Sequence, residues 1–338
     1  MDKKAVSFFA VGLGVGIIIS TALFSVFIRN MKNRDSGDTT VLKLSHGLEP
    51  VHPVHKGMVL MAERMLELSG GKVKIEIYPS GQLGNETENI EQLQNGALDM
   101  AKVSAAPLES FVKEMTVFSI PYVFRDHVHY WKVLEGPIGQ DMLLKGASKG
   151  LHGVCYYDSG SRNFYTVSKP VLTPDDLKGQ KIRVQKSETA MKMVETLGGS
   201  PTPIPWGELY TSLQQKVVDG AENNPPSFYT NRHFEVCKHF SLTEHTRIPD
   251  LLLMSETSWQ KLSPQVQMWL KQAAEESVVY QRKLWEEETE SNLKECEKIG
   301  VTIYRPDLKP FQAKARQMYK DYDGTVVGEM IQKIEAVQ

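Results

Sequence analysis

The residue types best suited to gripping a small charged molecule are arginine, amide and tryptophan, and this chain sets them in short distinctive strings. Arg183 ends the alternating run Lys181-Ile-Arg-Val. A guanidinium is always charged and presents a planar fork, so it holds a carboxylate through two parallel hydrogen bonds that lysine does not reproduce. The plain alternative for a strand-end arginine is a surface position. Arg162 stands in Gly160-Ser-Arg-Asn-Phe-Tyr, where the alternative is a structural salt bridge. Asn223 and Asn224 precede two prolines. Amides both donate and accept, which suits vicinal hydroxyls, although the same pair also suits an Asx-type turn. Trp206 follows Pro203-Ile-Pro and offers a flat apolar face.

Signatures of catalysis are missing from the sequence. It contains no His-Glu-x-x-His and no phosphate loop behind a strand. Gly12, Gly14 and Gly16 mimic a nucleotide loop but lie inside an apolar run with no preceding strand. His127 and His129 lack a third metal ligand nearby, so neither metal nor cofactor is expected. Cys155, Cys237 and Cys296 are too scattered for a disulfide framework or a metal knuckle.

The 338 residues suffice for two ordinary domains, and 41% apolar with 24% charged is a globular composition. The formal charge of -2, without a run of like charge, argues against a nucleic-acid partner. Residues 5–28 carry no charge, and as a helix they would rise roughly 36 Å, more than the ~30 Å of a bilayer core. Ser20-Thr21-Ala22 resembles a cleavage site, but the apolar run continues past it, so we read residues 5–28 as a retained anchor. The simplest topology leaves the body outside the membrane, tethered by a polar segment that ends near residue 38.

Strand, helix, strand, helix and strand alternate through residues 40–104, which is βαβ grammar and implies an α/β fold with a parallel sheet. A second such unit begins after Gly150. Residues 264–299 read as one helix, with Ser263 as N-cap, Pro264 in the first turn and Gly300 as terminator. At about 54 Å it would be longer than one domain is wide, so it should cross both.

Several strings coincide in order: Tyr78-Pro-Ser-Gly-Gln-Leu-Gly, Gln92-Leu-Gln-Asn-Gly-Ala-Leu-Asp-Met, Asp176-Leu-Lys-Gly-Gln-Lys-Ile-Arg-Val, Gly199-Ser-Pro-Thr-Pro, Glu208-Leu-Tyr-Thr-Ser-Leu-Gln, and Val218-Asp-Gly-Ala-Glu-Asn. Together, over roughly residues 41–327, the chain resembles the DctP-type extracytoplasmic solute receptors of TRAP transporters. The resemblance implies a two-domain, periplasmic-binding-protein-like Venus flytrap without catalysis, which delivers an organic acid to small DctQ-type and large DctM-type membrane subunits. We expect domain I to comprise residues 39–160 with 249–288, and domain II residues 161–248 with 289–338. Hinges are expected near residues 159–162 and 245–250.

Residue by residue, the resemblance implies that Arg183 clamps the ligand carboxylate and Arg162 reaches the ligand from the domain junction. Trp206 packs on the carbon frame, Asn223 with Asn224 meets hydroxyls, Glu86 faces a polyol, and His46 lies near the ligand loop. Two arginines against Glu86 leave a net positive site for a monoanion. The strings around Arg162 and Asn223 resemble the hexuronate branch, meaning glucuronate or galacturonate. Sialic acid, a C4-dicarboxylate, or a membrane-anchored sensing role are the alternatives.

Overall fold

The computed structural model describes residues 39–338, so the apolar run at 5–28 lies outside the described residues. Two sheets organise the chain. The first contains β1 (Thr40–Ser45), β2 (Val73–Tyr78), β3 (Met100–Ser104), β4 (Leu151–Tyr157) and β10 (Asp250–Ser255), in the order β2-β1-β3-β10-β4. The second contains β5 (Arg162–Thr166), β6 (Lys181–Val184), β7 (Ser200–Pro203), β8 (Gly220–Asn223), β9 (His239–Thr246) and β11 (Thr302–Tyr304), in the order β11-β9-β5-β8-β6-β7.

The expected parallel pairing holds for β1 with β2 and with β3. It is broken by β10, which is inserted antiparallel between β3 and β4. The cause is connectivity: β9 hands the chain back across three residues, 247–249, so β10 enters the first sheet from the cleft side and must run against its neighbours. Its run Leu251-Leu-Leu-Met has no polar alternation because the strand is buried on both faces.

Each sheet is covered on both faces by apolar side chains. Met58, Met61, Leu252 and Trp285 lie on one side of the first sheet; Val103, Phe118, Tyr156 and Leu251 lie on the other. The second sheet carries Phe164, Ile182 and Val194 on one side and Tyr165, Ala221 and Phe240 on the other. The closing helix, Val326–Ala336, sends Val327, Met330, Ile331 and Ile334 into the first-sheet core. The C-terminal end of the segment 289–338 thus packs with the first sheet, not the second. An amphipathic helix follows the apolar surface within reach, and that contact is invisible to sequence order.

The long helix is Pro264–Lys298, 35 residues or about 52 Å. Ser263 caps it, with its side chain accepting from Val266 N. Leu270, Ala273 and Trp285 pack in the first-sheet core, whereas Cys296 belongs to the second, so the helix crosses both units. Besides this helix, the chain passes between the sheets at residues 158–161 and 247–249. These crossings are tied together by Ser159 Oγ, which donates to Ile248 O. The first is also clamped to the long helix: Asp158 N donates to Gln281 Oε1 at 2.9 Å, and Gln281 Nε2 donates to Asp158 O at 2.8 Å. Gly160 adopts φ +59° there, and a Cβ would meet Trp285 Nε1 at 2.7 Å, so no other residue fits comfortably.

Candidate functional site

The strand ends decide where the site lies. β1 and β3 point their C-terminal ends at the cleft, as do β6 and β8, while β5 and β10 start there. The cleft contains an outer chamber of about 770 Å³ and an inner pocket of about 50 Å³, which share Gly47, Glu86, Gln185 and Trp206.

Arg183 lines the outer chamber and is 2% exposed. Its Nε donates to Ile204 O at 2.8 Å, but Nη1 is buried with no partner, and no carboxylate pairs with it among the described residues. Burial pulls its pKa down to about 10, which leaves it charged at neutral pH. A buried, unpaired guanidinium is costly unless an anion completes it.

Arg162, the first residue of β5, is the opposite case. Its Nε and Nη2 clasp the carboxylate of Glu222, Nη2 also donates to Glu222 O at 2.8 Å, and Nη1 donates to Asn223 Oδ1 at 2.9 Å. Burial raises the Glu222 carboxyl, but Arg162 and the adjoining His245 outweigh it and hold the pKa at about 2. Although Arg162 lines the inner pocket, its charge is already answered. Of the two arginines expected to face the ligand, Arg162 is thus already paired with Glu222, and Arg183 is not paired with a carboxylate among the described residues.

Asn223 and Asn224 also line the inner pocket, each with its oxygen committed. Asn223 Oδ1 accepts from Arg162 and from Asn224 N, and Asn224 Oδ1 caps the helix Pro225–Thr230 through Ser227 N at 2.8 Å. The Asx-type cap and the pocket wall are thus the same residue. Trp206 stands between the chambers, half-buried, its ring 5.7 Å from the Arg183 guanidinium carbon and its Nε1 buried without a partner. His233 meets that ring edge-on from behind and donates to or accepts from Tyr165 OH at 2.9 Å.

Glu86 opens the helix Glu86–Gln94, which is capped by Asn85, and its Oε1 accepts from Ser104 N at 2.9 Å. Lys102 Nζ lies 3.4 Å from the same oxygen and 3.2 Å from Asp250 Oδ1. Burial opposes the charge on Lys102, but Asp250 and Glu86 outweigh it and raise its pKa. Lys102, Asp250, Gln185, Ser104 and Ser227 line the inner pocket and were missed by sequence reasoning. Lys102 left one signal, a lone charge within the apolar Met100-Ala-Lys-Val-Ser strand. Gln185 and Ser227 left none, since hydrogen bonds across the cleft, from Ser104 Oγ to Gln185 Oε1 at 3.4 Å and between Ser227 Oγ and His52 Nε2 at 3.2 Å, depend on the fold.

His46 is not brought to either chamber. Its Nδ1 accepts from Leu48 N and its Nε2 bonds His55 Nδ1 at 3.0 Å; burial, with Lys102 and His55 adding, lowers its pKa to about 2. It shapes the loop that presents Gly47 and Leu48. His127 and His129 diverge, to Asp158 and to the Ile334 carbonyl.

The family model for "Bacterial extracellular solute-binding protein, family 7" matches residues 44–325. A TRAP periplasmic solute-binding protein from Xanthobacter autotrophicus Py2 with bound β-D-galacturonate is 38% identical, with a TM-score of 0.85 over 88% of this chain and 100% of that one. One from Bradyrhizobium sp. BTAi1 in complex with α/β-D-galacturonate is 39% identical, with a TM-score of 0.84 over 87% and 99%. The C4-dicarboxylate-binding periplasmic protein of Rhodobacter capsulatus is 31% identical over 297 residues, 88% of each chain. A cleft walled by two sheets that a long helix spans agrees with these likenesses: the chain belongs to the DctP family of bacterial extracellular solute-binding proteins, which are receptors and not enzymes.

Proposed function

We propose that this receptor captures a hexuronate, such as galacturonate or glucuronate, outside the cytoplasm and hands it to small DctQ-type and large DctM-type subunits of a TRAP transporter. The observation that carries the reading is Arg183, a fully buried guanidinium without an acidic partner among the described residues. Its fork takes the carboxylate, Trp206 covers a C–H face of the ring, and the side chains of Asn223, Asn224 and Glu86 meet hydroxyls. Arg162 serves chiefly by holding Asn223 and the wall of the pocket.

The receptor works as two lobes, residues 39–160 with 249–288 and residues 161–248 with 289–325, and the closing helix travels with the first lobe. The crossings at 158–161 and 247–249 act as hinges that close the lobes on the ligand. Residues 5–28 anchor the body to the outer face of the membrane, which keeps it near the transporter; their uncharged length supports this.

A C4-dicarboxylate is the second reading, supported by the Rhodobacter relative. It requires a second free cation, whereas Arg162 is committed to Glu222. Competitive titration of galacturonate, glucuronate, sialate and malate decides between them. A uronate should bind at least tenfold tighter than malate, since each buried polar group left unpaired costs ~1–3 kcal/mol. Tighter binding of malate or sialate than of either uronate overturns the reading.

A further inference from the structure

Outside the residues that line the two chambers, a carboxylate bridges the two sheet units in an unfavourable setting. Strand β3 runs into the short helix Ala105–Leu108, and Glu109 follows it, 7% exposed. On the other unit, β6 continues through Gln185 and Lys186, which line the outer chamber, to Ser187 and the helix Glu188–Leu197. Ser187 caps that helix by accepting from Ala190 N at 3.0 Å, and Glu109 Oε1 accepts from Thr189 N at 3.1 Å. The first unit thus supplies part of the cap of the second unit's helix, whose first-turn N–H groups have no partner within the helix.

The other half of the carboxylate is stranded. Glu109 Oε2 is buried with no partner, and no lysine, arginine or histidine pairs with Glu109 among the described residues. The groups around it do not answer its charge. Glu188 offers only its backbone N–H, Tyr322 OH lies 3.5 Å from Thr189 Oγ1, and Lys192 is already paired with Asp321 at 2.5 Å. Burial raises the Glu109 pKa, and the opposing bonds from Ser187, Thr189 and Glu188 do not cancel it. An ionised carboxylate with a bare buried oxygen is costly, and a proton on that oxygen removes the charge.

We infer that capture of the ligand takes up a proton at Glu109: closing the two units moves this carboxylate from water into the capped, cation-free site, where Oε2 binds a proton from solvent while Oε1 keeps its bond from Thr189 N. This rests on the hinge closure proposed above but not on which organic acid is bound. The sign follows from linkage. A group whose pKa is higher in the closed form favours closure as pH falls through that pKa, and the gain levels off near the ordinary glutamate value of about 4.3. One other titratable side chain bonds across the units, His52, whose Nε2 lies 3.2 Å from Ser227 Oγ. Burial, with Lys102, His46, His55 and Lys56 adding, lowers its pKa, so it gives up a proton where Glu109 gains one. Only a comparison that removes Glu109 alone isolates the uptake.

Titration calorimetry between pH 5 and 8, in pairs of buffers with different ionisation enthalpies, tests this on wild-type protein and Glu109→Gln, which keeps an acceptor for Thr189 N but cannot titrate. Glu109→Ala, also unable to titrate, stands in if melting shows the first variant unfolded. The titrant is whichever of galacturonate, glucuronate, malate and sialate binds wild-type protein. From the buffer dependence of the enthalpy, wild-type protein should take up at least about 0.3 proton more per ligand than the variant at its maximum in this range. Its affinity should rise from pH 8 to 5 by at least about threefold relative to the variant. Equal proton uptake and parallel pH profiles in the two overturn the coupling and leave the sugar-acid reading standing. Failure of all four acids to bind overturns the sugar-acid reading and the coupling together.

Discussion

Arg162 and Arg183 sit on β5 and β6, separated by the single strand β8, and both are almost wholly buried. Their surroundings could hardly differ more. Arg162 is clasped by Glu222 and Asn223, with His245 completing the cluster on the far side of the acid. Arg183 has one backbone carbonyl, an aromatic ring and an empty donor. The difference teaches that a buried charge declares its purpose by what it lacks. A satisfied ion pair is framework, and an unsatisfied one of the same chemistry is a site awaiting its counterion.

Substitution by methionine separates the two most widely. Arg162→Met strands the Glu222 carboxylate in the interior and should lower unfolding stability by ~3–5 kcal/mol. Arg183→Met removes a charge that nothing neutralises and should leave stability unchanged or raise it. Urea unfolding of both variants checks this, and equal losses in the two would erase the contrast.

A smaller effect probes the framework around Arg162 from another direction. Gly160→Ala places a Cβ against Trp285 in a left-handed backbone and should cost ~1–3 kcal/mol. Measured by the same unfolding, a loss below about 0.5 kcal/mol would show that the crossing tolerates a side chain and is not tightly built.

Acid should act on the Arg183 region and on the loop after β1 through their histidines. Burial lowers His233, behind Trp206, to about 3, with Arg183 adding to the effect, and lowers His46 to about 2. The unfolded chain protonates these rings near pH 6.5 while the folded chain does not. Their contribution is therefore complete above pH 6.5 and is lost as pH falls from there toward the folded values, at about 1.4 kcal/mol per unit and per ring. The melting temperature should drop between pH 7.5 and 5, and a flat profile would contradict the neutral assignment.

Local patterning made much of this molecule legible. The cap and length of the helix Pro264–Lys298 follow from Ser263, Pro264 and Gly300, and the strand around Arg183 follows from Lys181-Ile-Arg-Val. What remained hidden depends on contacts between distant segments. Strand β10 shows no alternation because it is buried on both faces, and its direction follows from a three-residue crossing. Glu222 was legible as part of a motif but not as the partner that cancels Arg162, since the two are 60 positions apart. His46 was placed near a ligand by its position after β1, yet its bonds to Leu48 and His55 turn it inward.

The central claim is that a ligand carboxylate completes Arg183. Titration calorimetry of galacturonate into wild-type protein and into Arg183→Met, both shown to be folded by melting, tests it most directly. The variant should lose ~2–5 kcal/mol of binding free energy, from about thirtyfold to several thousandfold in affinity. Binding by Arg183→Met within threefold of wild type would contradict the account and place the carboxylate elsewhere in the cleft.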